Sequence, residues 1–175
     1  MKKLITTLVV VLLLVGCGSK PTGGDKEPDA TSIASISDKA DDIAKSLGKD
    51  GNWITAATKD ITFDKDVTVE GKFHDKNDTA KPVYRKLALH TQDDKFNILD
   101  NFTLTTPRLI VESENFTAFY GTIKGDIEVK EKGFSLVGTK VEGNITFASE
   151  DIKASAQLDK DAKGAIVTGE VTVAK

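Results

Sequence analysis

An internal repeat in the second half of the chain constrains the fold more than any other feature of the sequence. Residues 123–129 read IKGDIEV and residues 141–147 read VEGNITF, so the apolar positions and the glycine coincide at an offset of 18. A third copy, VTGEVTV, occupies 167–173, at an offset of 26 from the second. A unit this short cannot bury its own apolar face and must stack on copies of itself. The repeat therefore predicts a solenoid.

Alternation of apolar and polar residues, with many β-branched types, indicates strands from Ile61 onward. Six apolar dyads recur at offsets from 18 to 26: Val67/Val69, Leu87/Leu89, Leu109/Val111, Ile127/Val129, Ile145/Phe147 and Val171/Val173. We expect a mainly β fold, namely a short right-handed parallel β-helix of about six coils with equivalent side chains stacked inside. An antiparallel sandwich or barrel is the alternative, because its strands also alternate and recur.

One amphipathic helix is predicted near 36–47, ahead of the strands. Its apolar stripe has spacings of three and four residues and consists of Ile33, Ile36, Ala40, Ile43, Ala44 and Leu47. Ser35 or Ser37 would cap its start, and Gly48 would end it in the left-handed conformation. Because the end of a β-helix exposes unpaired strand edges, this helix would serve as an N-terminal cap.

The N-terminus has the features of a secretory signal. Lys2 and Lys3 precede a largely apolar segment, 4–15, which is shorter than the roughly 20 residues that a membrane-spanning helix needs. The segment ends in Leu14-Val15-Gly16-Cys17, which resembles the lipobox of bacterial lipoproteins. That resemblance implies cleavage of the signal peptide 1–16, lipid on the thiol of Cys17, and attachment to the extracytoplasmic face of the cell membrane.

The chain is expected to divide into three parts. The signal peptide 1–16 precedes the lipidated cysteine and a polar, aperiodic tether at 17–32, and the β-helix domain with its cap helix spans 33–175. One acyl chain binds a membrane only reversibly, at about 0.8 kcal/mol per buried methylene, so stable anchoring needs more than one chain on Cys17.

Parts of the body resemble a group of small predicted lipoproteins from Gram-positive bacteria. The resemblance covers 60–130 and rests on residues 66–73 (DVTVEGKF), 84–89 (YRKLAL) and 110–117 (IVESENFT). It implies a cell-envelope location and a β-helix fold, and no activity. The Gly-x-Ile-x-Val units also resemble those of bactofilins, which are polymer-forming β-helix proteins.

The net charge and the cysteine count limit the classes of partner and cofactor that the chain is expected to bind. The formal net charge of −3 argues against nucleic acid, whose binding proteins usually carry a basic patch. Cys17 is the single cysteine, so its lipidation would leave no disulfide and no cysteine-based metal site. We expect no cofactor. The predicted partners are the membrane, through Cys17, and a polysaccharide or protein of the envelope.

Stacking of the repeats would place outward side chains in columns. Arg108, Asp126, Asn144 and Glu170 share one column, and Lys124, Glu142 and Thr168 share another. Neighbouring strands lie about 4.8 Å apart, so Arg108 would face Asp126. The first column is a candidate ligand face, because polysaccharide lyases on β-helices place basic and acidic residues on such a surface. The alternative is a solvated face with cross-strand charge pairs.

Other candidate sites are isolated. The loop 74–78 (HDKND) offers closely spaced oxygen ligands of the kind that calcium takes, or is simply solvated. A zinc site would require His74 and His90 to meet. Trp53, Tyr84 and Tyr120 would stack on sugar rings or pack against the protein. The chain contains no G-x-S-x-G motif for nucleophilic catalysis.

The leading hypothesis is a membrane-anchored envelope lipoprotein without enzymatic activity, which binds or scaffolds through a β-solenoid. The first alternative is a carbohydrate-binding or polysaccharide-lyase-like β-helix protein. The second is a polymer-forming scaffold of the bactofilin kind.

Overall fold

The computed structural model describes residues 35–175, and this part of the chain is mainly β. The predicted signal peptide, Cys17 and the tether lie outside the described residues. The strands are β1 (Ser35–Ser37), β2 (Ile54–Ala57), β3 (Ile61–Thr62), β4 (Val67–Val69), β5 (Arg85–Ala88), β6 (His90–Gln92), β7 (Ile98–Asn101), β8 (Thr103–Val111), β9 (Phe116–Phe119), β10 (Thr122–Val129), β11 (Ser135–Val137), β12 (Lys140–Glu142), β13 (Ile145–Phe147), β14 (Ile166–Val167) and β15 (Val171–Val173). The helices are α1 (Ala40–Leu47) and α2 (Glu150–Ala154), and short 3₁₀ turns span Asp75–Asn77 and Lys160–Ala162.

Most of the strands belong to two parallel sheets. The first sheet has five strands in the order β1-β2-β5-β9-β11. The second has eight strands, which form two strand stacks side by side. The long strands β8 and β10 each contribute to both stacks. The hairpin β6-β7 is antiparallel and forms a small sheet of its own. Parallel pairing throughout both large sheets excludes an antiparallel sandwich or barrel for the described residues.

The spacing of the sequence repeat is the register of the strand pairing. Leu109 pairs with Ile127, and Ile127 pairs with Ile145, each at the equivalent position of the next repeat. Ile145 then pairs with Val171 of the third copy, across the longer interval. These side chains are buried except for the half-buried Val171, which packs against the same core. The prediction that equivalent apolar residues stack inside is confirmed for these repeats.

The prediction for one apolar dyad is wrong. Leu87/Leu89 does not stack between the dyads of β4 and β8, because Val67 pairs directly with Leu109. Leu87 lies on β5 in the first sheet, opposite Ala118. An apolar pair at period two marks a strand and does not identify the sheet to which the strand belongs. Five dyads therefore stack, and not six.

The helix exists but is shorter than predicted. It begins after Lys39, because the residues before it form β1, which pairs with β2 and leaves Ile36 67% exposed. Neither predicted serine caps the helix: the Ser37 hydroxyl accepts from the Lys39 N–H and donates to Asp42. Gly48 is extended, at φ −71°, and ends the helix through backbone bonds to Ala44 and Lys45.

The glycine of each repeat is required by close stacking of the backbone. A Cβ on Gly143 would collide with the carbonyl of Gly125, and one on Gly169 with the carbonyl of Gly143. Gly125 in turn lies against the carbonyl of Thr106. The glycines thus stack where the chain passes from one strand stack of the second sheet to the other. A side chain there would push the repeats apart.

One arginine occupies a position in the first sheet that later repeats fill with phenylalanine. Arg85 pairs in register with Phe116, whose ring stacks on Phe134 with 6.2 Å between centroids. Arg85 is 1% exposed, and its guanidinium reaches the end of α1. Ile43 and Leu47 of α1 are fully buried in the common core, so this helix seals one end of the core. No helix within residues 35–175 is long and apolar enough to cross a membrane.

Candidate functional site

The predicted ligand face has the expected register and a different pattern of charge pairing. Arg108 pairs with Asp126 across the strands, as predicted. Its guanidinium, however, forms salt bridges to Glu128 at 2.9 Å and Asp66 at 3.5 Å. The hydrogen bond from Arg108 holds the pKa of the Glu128 carboxyl below its usual range, with a further contribution from Lys130. Arg108, Asp126 and Glu128 border a shallow hollow of about 300 Å³.

The rest of the predicted column is a ladder of hydrogen bonds between repeats. The carboxylate of Asp126 accepts from the backbone N–H of Asn144 at 2.8 Å and from its side-chain amide at 3.2 Å. The side-chain oxygen of Asn144 accepts from the backbone N–H of Glu170 at 2.9 Å. Each polar side chain thus accepts from a backbone N–H that the strands leave unpaired where the chain passes from one strand stack of the second sheet to the other. These hydrogen bonds account for the predicted column of side chains without a ligand.

Replacing Asn144 with alanine should therefore lower the free energy of unfolding by about 1 kcal/mol, because the Glu170 N–H loses its acceptor. Chemical denaturation of the variant and of Thr146→Ala on the same face would measure this. The Thr146 hydroxyl makes only a 3.4 Å contact with Thr172, so its removal should have a smaller effect. Equal losses from the two variants would contradict the ladder.

Glu142 and Thr168 of the second predicted column also have partners within the protein. Lys124 pairs in register with Glu142, and the Glu142 carboxylate binds Lys140 at 2.6 Å, which lowers the pKa of the carboxyl. The hydroxyl of Thr168 donates to the carbonyl of Val141. This column therefore offers no set of free charges to a ligand.

The two histidines lie in different elements with different partners. The His74 Nδ1 contacts the carbonyl of Lys81 at 2.7 Å, whereas His90 contacts the carbonyl of Phe119 and the amide of Gln92. Asp75 of the loop 74–78, for which calcium binding is one alternative, forms a 3.8 Å ion pair with Lys81. Within residues 35–175, no group of three or more His, Cys, Asp and Glu side chains is arranged to hold a metal ion.

The three aromatic residues singled out in the sequence have distinct surroundings. Trp53 is buried and lies 6.1 Å from the ring of Tyr84. Tyr120 packs edge-on against His90. Tyr84 alone of the three lines a large cleft.

The cleft lies on the outer face of the first sheet and has a volume of about 630 Å³, within the usual range of ligand pockets. Thr117 of β9 and Ser135 of β11 are on its floor, because they alternate with residues that point into the core. One wall comes from the segment 75–84 and the opposite wall from 155–160. The lining consists of Asp75, Pro82, Val83, Tyr84, Asn115, Thr117, Lys132, Gly133, Ser135, Ser155, Gln157 and Lys160.

Both walls are fixed to the sheet by hydrogen bonds. The side-chain amide of Asn115 donates to the carbonyl of Val83, which holds the first wall. The Ser155 hydroxyl accepts from the N–H of Gly133, and Gln157 exchanges backbone bonds with Phe134 and Leu136, which holds the second. The cleft is therefore pre-formed in the protein itself.

Burial raises the pKa of the Tyr84 phenol, and a hydrogen bond with Thr117 opposes that rise. The phenol consequently stays protonated at neutral pH and can donate a hydrogen bond into the cleft. Its ring supplies a flat apolar surface beside Pro82 and Val83.

Sequence reasoning singled out Tyr84 and did not find the cleft. A signal was nevertheless present, because the two walls come from the two places where the regular spacing of the repeat fails. The first wall lies in the long interval between Val67 and Leu109, and the second in the extended interval between Ile145 and Val171. Insertions in a repeat protein map to loops on one face, which is often the binding face.

Comparison of the chain with protein-family models, with curated proteins and with solved structures gave no match.

Proposed function

We propose that the chain is a short parallel β-helix, anchored to the cell membrane by lipid on Cys17, that binds a component of the cell envelope without transforming it. The parallel strands, stacked at the spacing of the sequence repeat, support the β-helix. The lipobox-like residues 14–17 support the anchor. The cleft beside Tyr84 supports binding, and it is the observation on which the functional proposal depends.

Three features favour a ligand site in the cleft over the column that contains Arg108. The cleft has about twice the volume of the hollow beside Arg108, at about 630 against 300 Å³. The charges beside Arg108 are paired with one another, so a ligand would have to displace Glu128 or Asp66. The cleft, in contrast, combines an aromatic ring, hydroxyl groups and amides, which is the mixture that small-molecule and sugar sites present.

The anchor makes its own prediction. Cys17→Ala removes the thiol to which lipid would attach, so the variant should leave the membrane fraction and accumulate as secreted or unprocessed chain. Fractionation with an antibody against the chain would measure this, and Ser19→Ala serves as the matched control. A processed Cys17→Ala chain that stays on the membrane would contradict the lipid anchor.

Two tryptophan substitutions test the site. Gln157 is an exposed residue of the cleft, so Gln157→Trp should fill the cleft with little cost to the fold. Thr146→Trp would fill the hollow beside Arg108 instead. We expect the full-length chain in detergent to sediment with purified cell-wall material, and only Gln157→Trp to lose this property. Loss with Thr146→Trp alone would move the site to the predicted Arg108 column.

The length of the glycan after incubation with the chain distinguishes binding from catalysis. Cell-wall glycan incubated with the chain should keep its length distribution in mass spectrometry. The appearance of shortened or unsaturated products would instead support the carbohydrate-active alternative. Concentration-dependent filaments of the purified chain in electron micrographs would support the polymer-forming scaffold.

A further inference from the structure

We infer that the ligand of the cleft is an anionic oligosaccharide, one whose sugar rings carry carboxylate or phosphate groups; this inference rests on the proposed function of the cleft. Its basis is the charge of the lining. Lys132 and Lys160 line the cleft, and Asp75 is the one carboxylate among the lining residues.

The lining charges are not balanced. Asp75 is already engaged by Lys81, at 3.8 Å between the carboxylate oxygen and the ammonium nitrogen. Neither Lys132 nor Lys160 belongs to any of the salt bridges formed within residues 35–175. The Asp161 carboxylate does not line the cleft, although its negative charge contributes to the raised pKa of Tyr84. The cleft therefore presents two ammonium groups whose charge a ligand can neutralise.

Hydrogen bonds of neighbouring residues fix the backbone that carries the two lysines. Lys132 is next to Gly133, which is fixed to the second wall through Ser155. Lys160 follows Asp159, whose carboxylate accepts from the backbone N–H groups of Gly164 and Ala165 at 2.9 Å and so fixes the turn. The backbone that carries the two lysines is thus braced, so only their side chains need to be ordered when they bind an anion.

The remaining lining selects a sugar over a simple anion. The Tyr84 ring and the side chains of Pro82 and Val83 form an apolar surface, against which the C–H face of a sugar ring packs. The exposed amide of Gln157 and the protonated phenol of Tyr84 supply polar groups for sugar hydroxyls. A volume of about 630 Å³ accommodates a short oligosaccharide and exceeds what one inorganic anion fills.

The local charge is notable because the whole chain is acidic, with a formal net charge of −3. Screening limits the reach of distant charges to about 8 Å at physiological ionic strength, so an anion in the cleft responds mainly to the charges in and beside the lining and little to the net charge of the chain. Binding should consequently weaken as salt is added.

Titration calorimetry of the full-length chain in detergent tests the inference with three probes: an oligogalacturonate, its fully methyl-esterified form, and a phosphodiester-linked sugar oligomer. The two anionic probes should bind, and their relative affinities would identify carboxylate or phosphate as the preferred group. The uncharged methyl ester should bind at least about tenfold more weakly, because it cannot neutralise the lysines.

Paired variants assign the charge effect to the cleft. The double variant Lys132→Gln, Lys160→Gln should lose about tenfold or more in affinity for the anionic probe and little for the methyl ester. The control Lys95→Gln, Lys124→Gln changes the net charge equally at exposed sites away from the cleft and should bind as the parent does.

Two outcomes would overturn the inference. Binding of the methyl ester as tight as that of the acid, and sensitive to Gln157→Trp, would leave the cleft as the binding site and reject the anionic ligand. Failure of both anionic probes to bind at millimolar concentration would also reject the anionic ligand. Sedimentation with cell-wall material, compared between the parent and Gln157→Trp, decides the proposed function separately.

Discussion

Replacing Arg85 with alanine is expected to lower the free energy of unfolding by about 4 kcal/mol, a large part of the stability of a domain of this size. The guanidinium donates to three backbone carbonyls, those of Ser46 at 2.6 Å, Gly48 at 3.2 Å and Glu70 at 2.9 Å. It also lies 4.0 Å from the centre of the Phe73 ring. Its removal takes the donor from the Glu70 carbonyl and one of two donors from the carbonyls of Ser46 and Gly48, which also accept from the backbone N–H groups of Asn52 and Gly51. It also opens a cavity between α1 and the sheet.

The charge of the Arg85 guanidinium suits its position at the end of α1. Burial lowers its pKa to about 10, which still leaves the group charged at neutral pH. Two of its acceptors belong to the C-terminal end of α1, where a positive charge is favourable. Arg85→Met tests the hydrogen bonds separately, because methionine fills the space and donates nothing.

Arg108 is the matched control, since Arg85 and Arg108 are the two arginines of the chain. Arg108 is half exposed, and its partners are the exposed Asp66 and the half-buried Glu128, so Arg108→Ala should cause a much smaller change. Urea denaturation followed by circular dichroism would measure all three variants. If Arg85→Met and Arg85→Ala both unfold like the parent, the guanidinium does not hold α1 to the sheet.

Gly143→Ala is expected to destabilise the chain by about 3 kcal/mol, because a methyl group there collides with the carbonyl of Gly125. The neighbouring atom belongs to the backbone of β10, where the register of that strand shifts, and cannot turn aside as a flexible side chain would. The two repeats would have to separate locally, with loss of hydrogen bonds between β10 and β13. Thermal and chemical denaturation would measure the effect.

Gly164→Ala isolates the steric part of this prediction. Gly164 has φ +79°, and a Cβ added there would have no atom within 4 Å, so alanine meets only the conformational penalty of about 1 kcal/mol. Gly143 is not in that left-handed region, and alanine there meets only the collision. A smaller loss from Gly143→Ala than from Gly164→Ala would contradict close stacking of the repeat glycines.

The register of the second sheet could be predicted from the sequence because three physical requirements coincide in each repeat. Inward positions such as Ile127 and Ile145 need apolar side chains. The passage between the two strand stacks needs Gly125 and Gly143. A residue such as Asn144 then accepts a hydrogen bond from the next repeat. Requirements that recur at one spacing leave a pattern that a single sequence reveals.

Features that occur once left no such pattern. Arg85 reads as an ordinary surface charge, and only the fold brings it beneath the end of α1. Residues 36–39 fit a helical spacing, yet pairing of β1 with β2 satisfies the backbone there instead. The cleft could not be predicted for a related reason. Its walls come from segments near Tyr84 and Gln157, which are far apart in sequence and meet over the same sheet.

Hydrogen exchange of the full-length chain, measured with and without purified cell-wall glycan, tests binding in the cleft most directly. We expect slower exchange in both walls of the cleft, 75–84 and 155–160, with no change around Arg108 and Glu128. The two walls should respond together, because one ligand would contact both. Protection confined to the Arg108 column, or no protection in either wall under conditions where the chain sediments with the glycan, would contradict a ligand site in the cleft.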